Sequence, residues 1–130
     1  MKLVADTSVW IDYFNGVTNA ETGRLRLSVR AGDGLIPDLI RYEVIRGMRH
    51  ARDRRVASGL FGTLDSRTVC GDDAAEAAAL RYQSLRSKGI TVRSAIDVLI
   101  ASYCIDAALP LLFVDRDFRH FVTHFGLVAA

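Results

Sequence analysis

Two short apolar runs in this chain end on aspartate. LVA runs into Asp6, and LLFV runs into Asp115, with Asp117 two residues further on in FVDRDF. Two more acids sit inside apolar helical patterns, Glu43 in LIRYEVIRGM and Asp97 in SAIDVLIASY. Singly, each has an ordinary explanation. Asp6, Thr7 or Ser8 caps the helix that follows. Ser94 and Asp97 have the spacing of a capping box. Glu43 precedes Arg46 at the spacing of a helix-surface pair, and Asp117 caps a turn. Together they describe another chemistry. Carboxylates gathered within a few ångströms repel one another, and some are driven to hold a proton. A divalent cation removes that cost, and hard oxygen donors select Mg²⁺ or Mn²⁺. Such an ion orients a water, lowers its pKa and neutralises a phosphodiester during cleavage. On this reading Asp6, Glu43, Asp97 and Asp115, at strand ends and early helix positions, converge at one edge of the fold. No histidine forms a zinc spacing with the cysteines.

These acids can meet only if the chain folds to bring strand ends and helix starts together. Lys2–Ala5 reads as a buried strand, followed by a helix through about Phe14 that Asn15-Gly16 breaks. A helix over residues 20–31 and a strand at Gly34–Ile36 follow. Pro37-Asp38 opens a helix, with proline suited to its first turn. Residues 51–62 are helical, Thr68–Cys70 is an edge strand, and the alanine-rich Asp72–Arg86 is a strong helix. Ser94–Ala107 is an apolar helix, and Leu111–Val114 a central parallel strand. A helical turn at Phe118–Phe121 and a last strand at Leu127–Val128 complete the pattern. Apolar strands alternating with helices predict an α/β sandwich around a parallel sheet. In such sheets ligands sit beyond the carboxyl ends of the strands, where Asp6 and Asp115 fall.

Composition sets the frame. A chain of 130 residues, half of them hydrophobic, builds one domain with one core. No apolar run is long enough to span a membrane and the start lacks the pattern of a secretory leader, which predicts a cytoplasmic protein. Cys70 and Cys104 lack metal-ligand spacing, and packing rather than a disulfide is expected of them. The net charge is only +2, yet 15 of the 17 basic residues are arginine, whose fork suits phosphate better than lysine does.

Four stretches in order and spacing carry a family resemblance: DTSVWIDYF, YEVIRG, AIDVLIASYCIDAALPLL and VDRDF. Over almost its whole length the chain resembles the PIN-domain nucleases, and within them the VapC-type toxins of prokaryotic toxin–antitoxin pairs. The resemblance implies a PIN-like three-layer α/β/α sandwich with a central, mainly parallel sheet. It implies Mg²⁺- or Mn²⁺-dependent RNA cleavage, of transfer RNA or a ribosomal RNA loop, that inhibits translation. Asp6, Glu43, Asp97 and Asp115 match the four acids of the family. Asp117 matches a fifth that often binds metal through water, and Thr7 or Ser8 matches a hydroxyl beside the first acid. One departure is Phe113, which stands where many relatives carry serine or threonine and so removes a hydrogen bond behind the metal ligands. The implied partners are a cognate VapB-type antitoxin, whose C-terminal segment lies over the acidic crevice, and a second copy in a homodimer.

An acidic pit repels RNA, so basic residues must hold the flanking phosphates. Six arginines lie between Arg41 and Arg55. Arg46 and Arg49 among them, and Arg93 and Arg116 close to the acids, are the candidates. Each is equally an ordinary solvated side chain. Trp10, Tyr13 and Phe14 are either a partner surface or core, with core expected for two of the three. Two rival functions share these features. A Mg²⁺-dependent phosphatase also places acids at strand ends, but needs a second acid close to Asp6 and a late lysine, whereas Thr7 and Ser8 follow Asp6 and the only lysines are Lys2 and Lys88. A catalytically silent PIN fold that binds RNA or protein is the other, and the intact acid set argues against it.

Overall fold

The computed structural model describes every residue from Met1 to Ala130. Four strands and seven α-helices alternate along it. The strands are β1 (Leu3–Ala5), β2 (Gly34–Pro37), β3 (Asp65–Arg67) and β4 (Leu111–Leu112), in the spatial order β3-β2-β1-β4. All neighbouring pairs are parallel. The helices are α1 (Thr7–Phe14), α2 (Ala20–Arg30), α3 (Asp38–Arg46), α4 (Ala51–Phe61), α5 (Asp72–Ser87), α6 (Ala95–Asp106) and α7 (Arg119–Phe125). They pack in two groups, α1 to α4 and α5 to α7, so the sheet is the middle layer of an α/β sandwich. β1 and β2 are wholly buried, which is why they read as unbroken apolar runs rather than as alternating ones.

Each helix begins where its sequence allows. Asn19 and Thr22 form a reciprocal capping box at α2. Ser94 Oγ accepts the Asp97 amide at 3.3 Å and caps α6, but the Asp97 carboxylate does not reach back, so only half of the expected box forms and that carboxylate is left for other work. Pro37 ends β2 and stands at the cap of α3 rather than in its first turn.

Three strand expectations are corrected. The edge strand is Asp65–Arg67, three residues before Thr68–Cys70. It is bound by its parallel register with Leu35–Pro37 and not by apolar content, while Val69 turns inward as a buried plug. Leu111–Val114 shortens to Leu111–Leu112 and borders only β1 among the strands, so it is not central. Leu127–Val128 forms no strand; a single bridge from Leu111 to Ala129 covers that edge instead.

The aromatic residues of α1 follow the packing reading. Trp10 is fully buried, with Phe61 of α4 edge-on to it at 5.1 Å and Phe14 stacked at 5.9 Å, while Tyr13 and Phe14 are half-buried against the same core. On the other side of the sheet Arg81 of α5 clamps three helices. It donates to the Ser102 carbonyl at 3.2 Å and hydroxyl at 2.5 Å, pairs with Asp106 at 2.7 Å, and lies 5.9 Å over the Phe125 ring. Replacing it with methionine keeps the apolar stem but strands Ser102, and a loss of about 2 kcal/mol in urea unfolding is expected. The Arg81 guanidinium holds the Asp106 carboxyl below its ordinary 3.8, so the pair stabilises the fold above that pH and stops doing so as pH falls through the lowered value. The gap between parent and variant should therefore narrow in acid.

Candidate functional site

The sheet order reverses at β1. The chain leaves β1 for β2 on one side, and β4 returns to lie on the other. Such a switch point opens a crevice beyond the strand ends. Ala5 is in register with Leu112, and the Asp6 amide donates to the Leu112 carbonyl at 2.9 Å, so the two strand ends are tied where their acids begin. Asp6 follows β1, Asp115 and Asp117 follow β4, Asp97 is the third residue of α6, and Glu43 lies midway along α3.

Asp6 is 4% exposed. It occupies the cap position of α1, and the Thr7 and Ser8 amides face its carboxylate, yet no capping hydrogen bond closes. One oxygen accepts the Ser8 hydroxyl at 3.0 Å, while Oδ1 is buried with no partner. Helix capping thus does not account for Asp6. Burial raises its pKa against the lowering pull of those amides and of Ser8, and the Glu43 charge raises it further. Glu43 does not pair with Arg46. Its Oε1 accepts the Thr7 hydroxyl at 2.5 Å, and the Arg46 guanidinium instead stacks 5.4 Å from the centre of the Tyr42 ring. Asp97 is pushed up to about 7, first by burial and then by the charges of Asp6, Glu43 and Asp115. Asp97 is thus close enough to Asp6, Glu43 and Asp115 to be repelled by all three. Asp115 Oδ1 accepts the Asp117 amide at 2.9 Å and so caps the single turn Arg116–Phe118.

Arg93, Ser94, Asp97, Asp115, Arg116 and Asp117 line an entirely polar cleft of about 250 Å³. Two of the four candidate arginines, Arg93 and Arg116, therefore stand at the acids. Arg49 lines a separate cavity of about 320 Å³ with Ile11, Phe14, Met48 and His50, and Arg46 lines neither. Cys104 is buried and pushed up to about 12 by burial and then by the Asp6 charge, so its thiol stays protonated and is no nucleophile.

The donor set suits a hard divalent ion. All the donors are carboxylate oxygens, Asp6 Oδ1 lacks any partner, and the mutual repulsion at Asp97 is what a cation relieves. As they stand, no three of these side chains are gathered into a ready cage. Thr7 holds Glu43, Ser8 holds Asp6 and the Asp117 amide holds Asp115, which keeps the like charges apart. The hydroxyl clamp on Glu43 was legible only as a hydroxyl beside an acid, because its partner lies 36 residues away. Phe113 packs 5.2 Å from Phe118 with Arg119 at 5.4 Å over its ring, so stacking supports the acid-bearing turn.

The family described as PIN domain matches residues 3–122. The chain is 33% identical over 121 residues to VapC ribonuclease Mb1587 of Mycobacterium bovis and, equally, to ribonuclease VapC11 of Mycobacterium tuberculosis, covering 89% of this chain and 88% of each relative. Among solved structures, DNA-bound VapBC from Salmonella typhimurium superposes with a TM-score of 0.77 at 19% identity, covering 99% of this chain and 96% of that one. VapBC2 from Rickettsia felis, bound to a promoter DNA fragment, gives 0.75 at 16% identity, covering 100% and 98%.

Proposed function

The chain belongs to the PIN-domain family, and on that premise we propose that it is the toxin of a toxin–antitoxin pair, an endoribonuclease that inhibits translation by cutting transfer or ribosomal RNA in the cytoplasm. The observation that carries this reading is the crevice at the β1–β4 switch, where Asp97 feels three other carboxylates and Asp6 keeps a buried, unpartnered oxygen. The relatives named as ribonucleases support the reaction class, and the VapBC complexes among the structural neighbours support a VapB-type antitoxin as partner. The active form is a homodimer. No helix is long and apolar enough to cross a membrane.

Asp6, Asp97 and Asp115 would hold Mg²⁺ or Mn²⁺, with Asp117 acting through water. When bound, the ion supplies a lowered water pKa and neutralises charge on the phosphodiester. Glu43, whose Oε1 accepts the Thr7 hydroxyl, would either complete the ion's shell or take the proton of the water that attacks phosphorus, and Ser8, donating to Asp6, would orient that carboxylate. Arg93 and Arg116 hold the phosphates on either side of the scissile bond, so that RNA enters a cleft that is otherwise acidic. Arg46 and Arg49, which do not line the acid cleft, contact a longer RNA outside it. Purified, antitoxin-free protein incubated with total transfer RNA and ribosomal RNA should give discrete fragments with Mg²⁺ or Mn²⁺ and none with EDTA. Fragments that persist in EDTA at full rate, or no fragments from any RNA, would sink the reading.

A further inference from the structure

Helix α3 carries the one aromatic side chain that stands in solvent. Tyr42 is 55% exposed, while every other tyrosine, phenylalanine and tryptophan of the chain is buried or half-buried. It directly precedes Glu43. Arg46 follows Glu43 by three residues and Tyr42 by four, so one helical turn brings it to either. A guanidinium ordinarily takes the carboxylate. Here Glu43 is held by the Thr7 hydroxyl, and Arg46 lies over the Tyr42 ring instead, 5.4 Å from its centre. The other guanidinium–ring contacts use Tyr13, Phe61, Phe113 and Phe125, all of them part of the core or packed against it, so those contacts are packing. Arg46 is itself exposed, joins no ion pair and donates no hydrogen bond within the chain. Its N–H groups and much of the Tyr42 ring therefore face solvent, one residue from an acid of the site.

We propose that Tyr42 and Arg46 form a seat for one nucleotide of the RNA strand next to the scissile bond, with the base stacked on the phenol ring and the phosphate held by the guanidinium. Arg46 covers one face of the ring, and the base takes the other. Each half of the pair prepares the other for this. The guanidinium holds the ring in one orientation, which lowers the cost of ordering it when a base arrives. The ring in turn holds a cation that no carboxylate has neutralised, and its N–H fork suits a phosphate. An apolar peptide side chain would cover the ring and leave Arg46 without an anion. An acidic side chain would satisfy Arg46 and leave the ring bare. A nucleotide satisfies both. Successive helix residues rise only about 1.5 Å, so a strand with its phosphate at Glu43 has the adjoining nucleotide within reach of Tyr42. The acids repel the strand, and the seat supplies attraction where the acids end. Stacking on a ring reads the face of a base and not its edge, so the seat favours the larger purines without demanding one sequence. The inference rests on the nuclease reading and deepens it, by naming how the strand is held outside the acid cleft.

Binding of a short, fluorescently labelled oligoadenylate to the full chain in EDTA tests the seat without reference to activity. Tyr42→Ala should raise Kd about tenfold, the loss of one base–aromatic stack. Tyr42→Leu should lose as much, because it keeps apolar bulk without a π-face, and Tyr42→Trp should bind at least as tightly as the parent. All three change an exposed side chain, and circular dichroism should show them folded. Salt separates the two halves of the seat. Arg46→Gln should reduce the slope of log affinity against log salt by about 0.7, one phosphate on a single strand, whereas Tyr42→Ala should leave that slope as it is. Against an oligomer of the same length whose sugars carry no bases, parent and Tyr42→Ala should bind alike. A parent that does not bind oligoadenylate, an unchanged Kd in Tyr42→Ala, a Tyr42→Leu as tight as the parent, or an equal loss on the baseless strand would overturn the assignment. So would a Tyr42→Ala that keeps its RNA affinity but no longer binds its antitoxin, because the ring would then belong to the protein partner. Absence of RNA cleavage by the parent in Mg²⁺ would strike the nuclease reading and leave these binding outcomes readable.

Discussion

Asp97→Asn is expected to lower metal-dependent RNA cleavage by on the order of a thousandfold while making the metal-free protein more stable. Both effects have one cause. Asp97 is the carboxylate on which the other three converge, and its ionised form is disfavoured by burial and by Asp6, Glu43 and Asp115. Its folded pKa of about 7 lies above the ordinary 3.8, so between those values the native state holds a proton the unfolded chain has released. Parent stability therefore falls as pH rises through that window and stays lowered above it. Asparagine removes the penalty. In EDTA the variant's advantage should be smallest below pH 3.8, grow up to about pH 7 and then level off. Taken at face value the shift corresponds to several kcal/mol, but this carboxyl is partly open to solvent, and screening reduces the expected gain to about 1–2 kcal/mol. Thermal melts from pH 4 to 8, run beside the cleavage assay, read both quantities. A variant that is inactive and also less stable at pH 8 would place Asp97 in a structural role.

Phe61→Ala is expected to cost about 4 kcal/mol, a fall of roughly 12–16 °C in melting temperature. Phe61 is fully buried and joins α4 to α1. Trp10 and Phe14 meet it edge-on, and the Arg41 guanidinium lies 5.5 Å from its ring centre on the remaining side. These neighbours belong to helices anchored in other contacts, so they cannot close over the space a phenyl ring leaves. Phe61→Leu should recover most of the loss, because it refills the volume without the edge-to-face contacts. The same packing fixes α1, whose first residues follow Asp6, so the alanine variant should also lose cleavage at temperatures where it is still folded. A loss below 1 kcal/mol would show that the aromatic cluster is not the core of this layer.

The local signals in the sequence were strong enough to find the acids and most helices. A carboxylate ending an apolar strand, or standing early in an apolar helix, conflicts with its surroundings, and four such conflicts in one short chain point to a shared site. Helix periodicity, caps and the alanine-rich run located α2, α4, α5 and α6 within a residue or two, because those signals act over a few residues. What failed was whatever depends on a distant partner. Asp65–Arg67 is a strand only because Leu35–Pro37 offers it a parallel ladder, and nothing in DSR itself asks for one. Glu43 appeared suited to Arg46, one helical turn away, until the fold brought Thr7 to it. The four candidate arginines looked alike in sequence, and only the tertiary structure puts Arg93 and Arg116 on the acid cleft and Arg49 on another cavity. The sequence by itself determined which side chains are candidates for the chemistry, since carboxylates keep their charge and oxygen donors wherever they lie. The tertiary structure alone decided which of them share a crevice and which hydroxyl restrains each, because those are distances between residues far apart in the chain, set by how the sheet is wound.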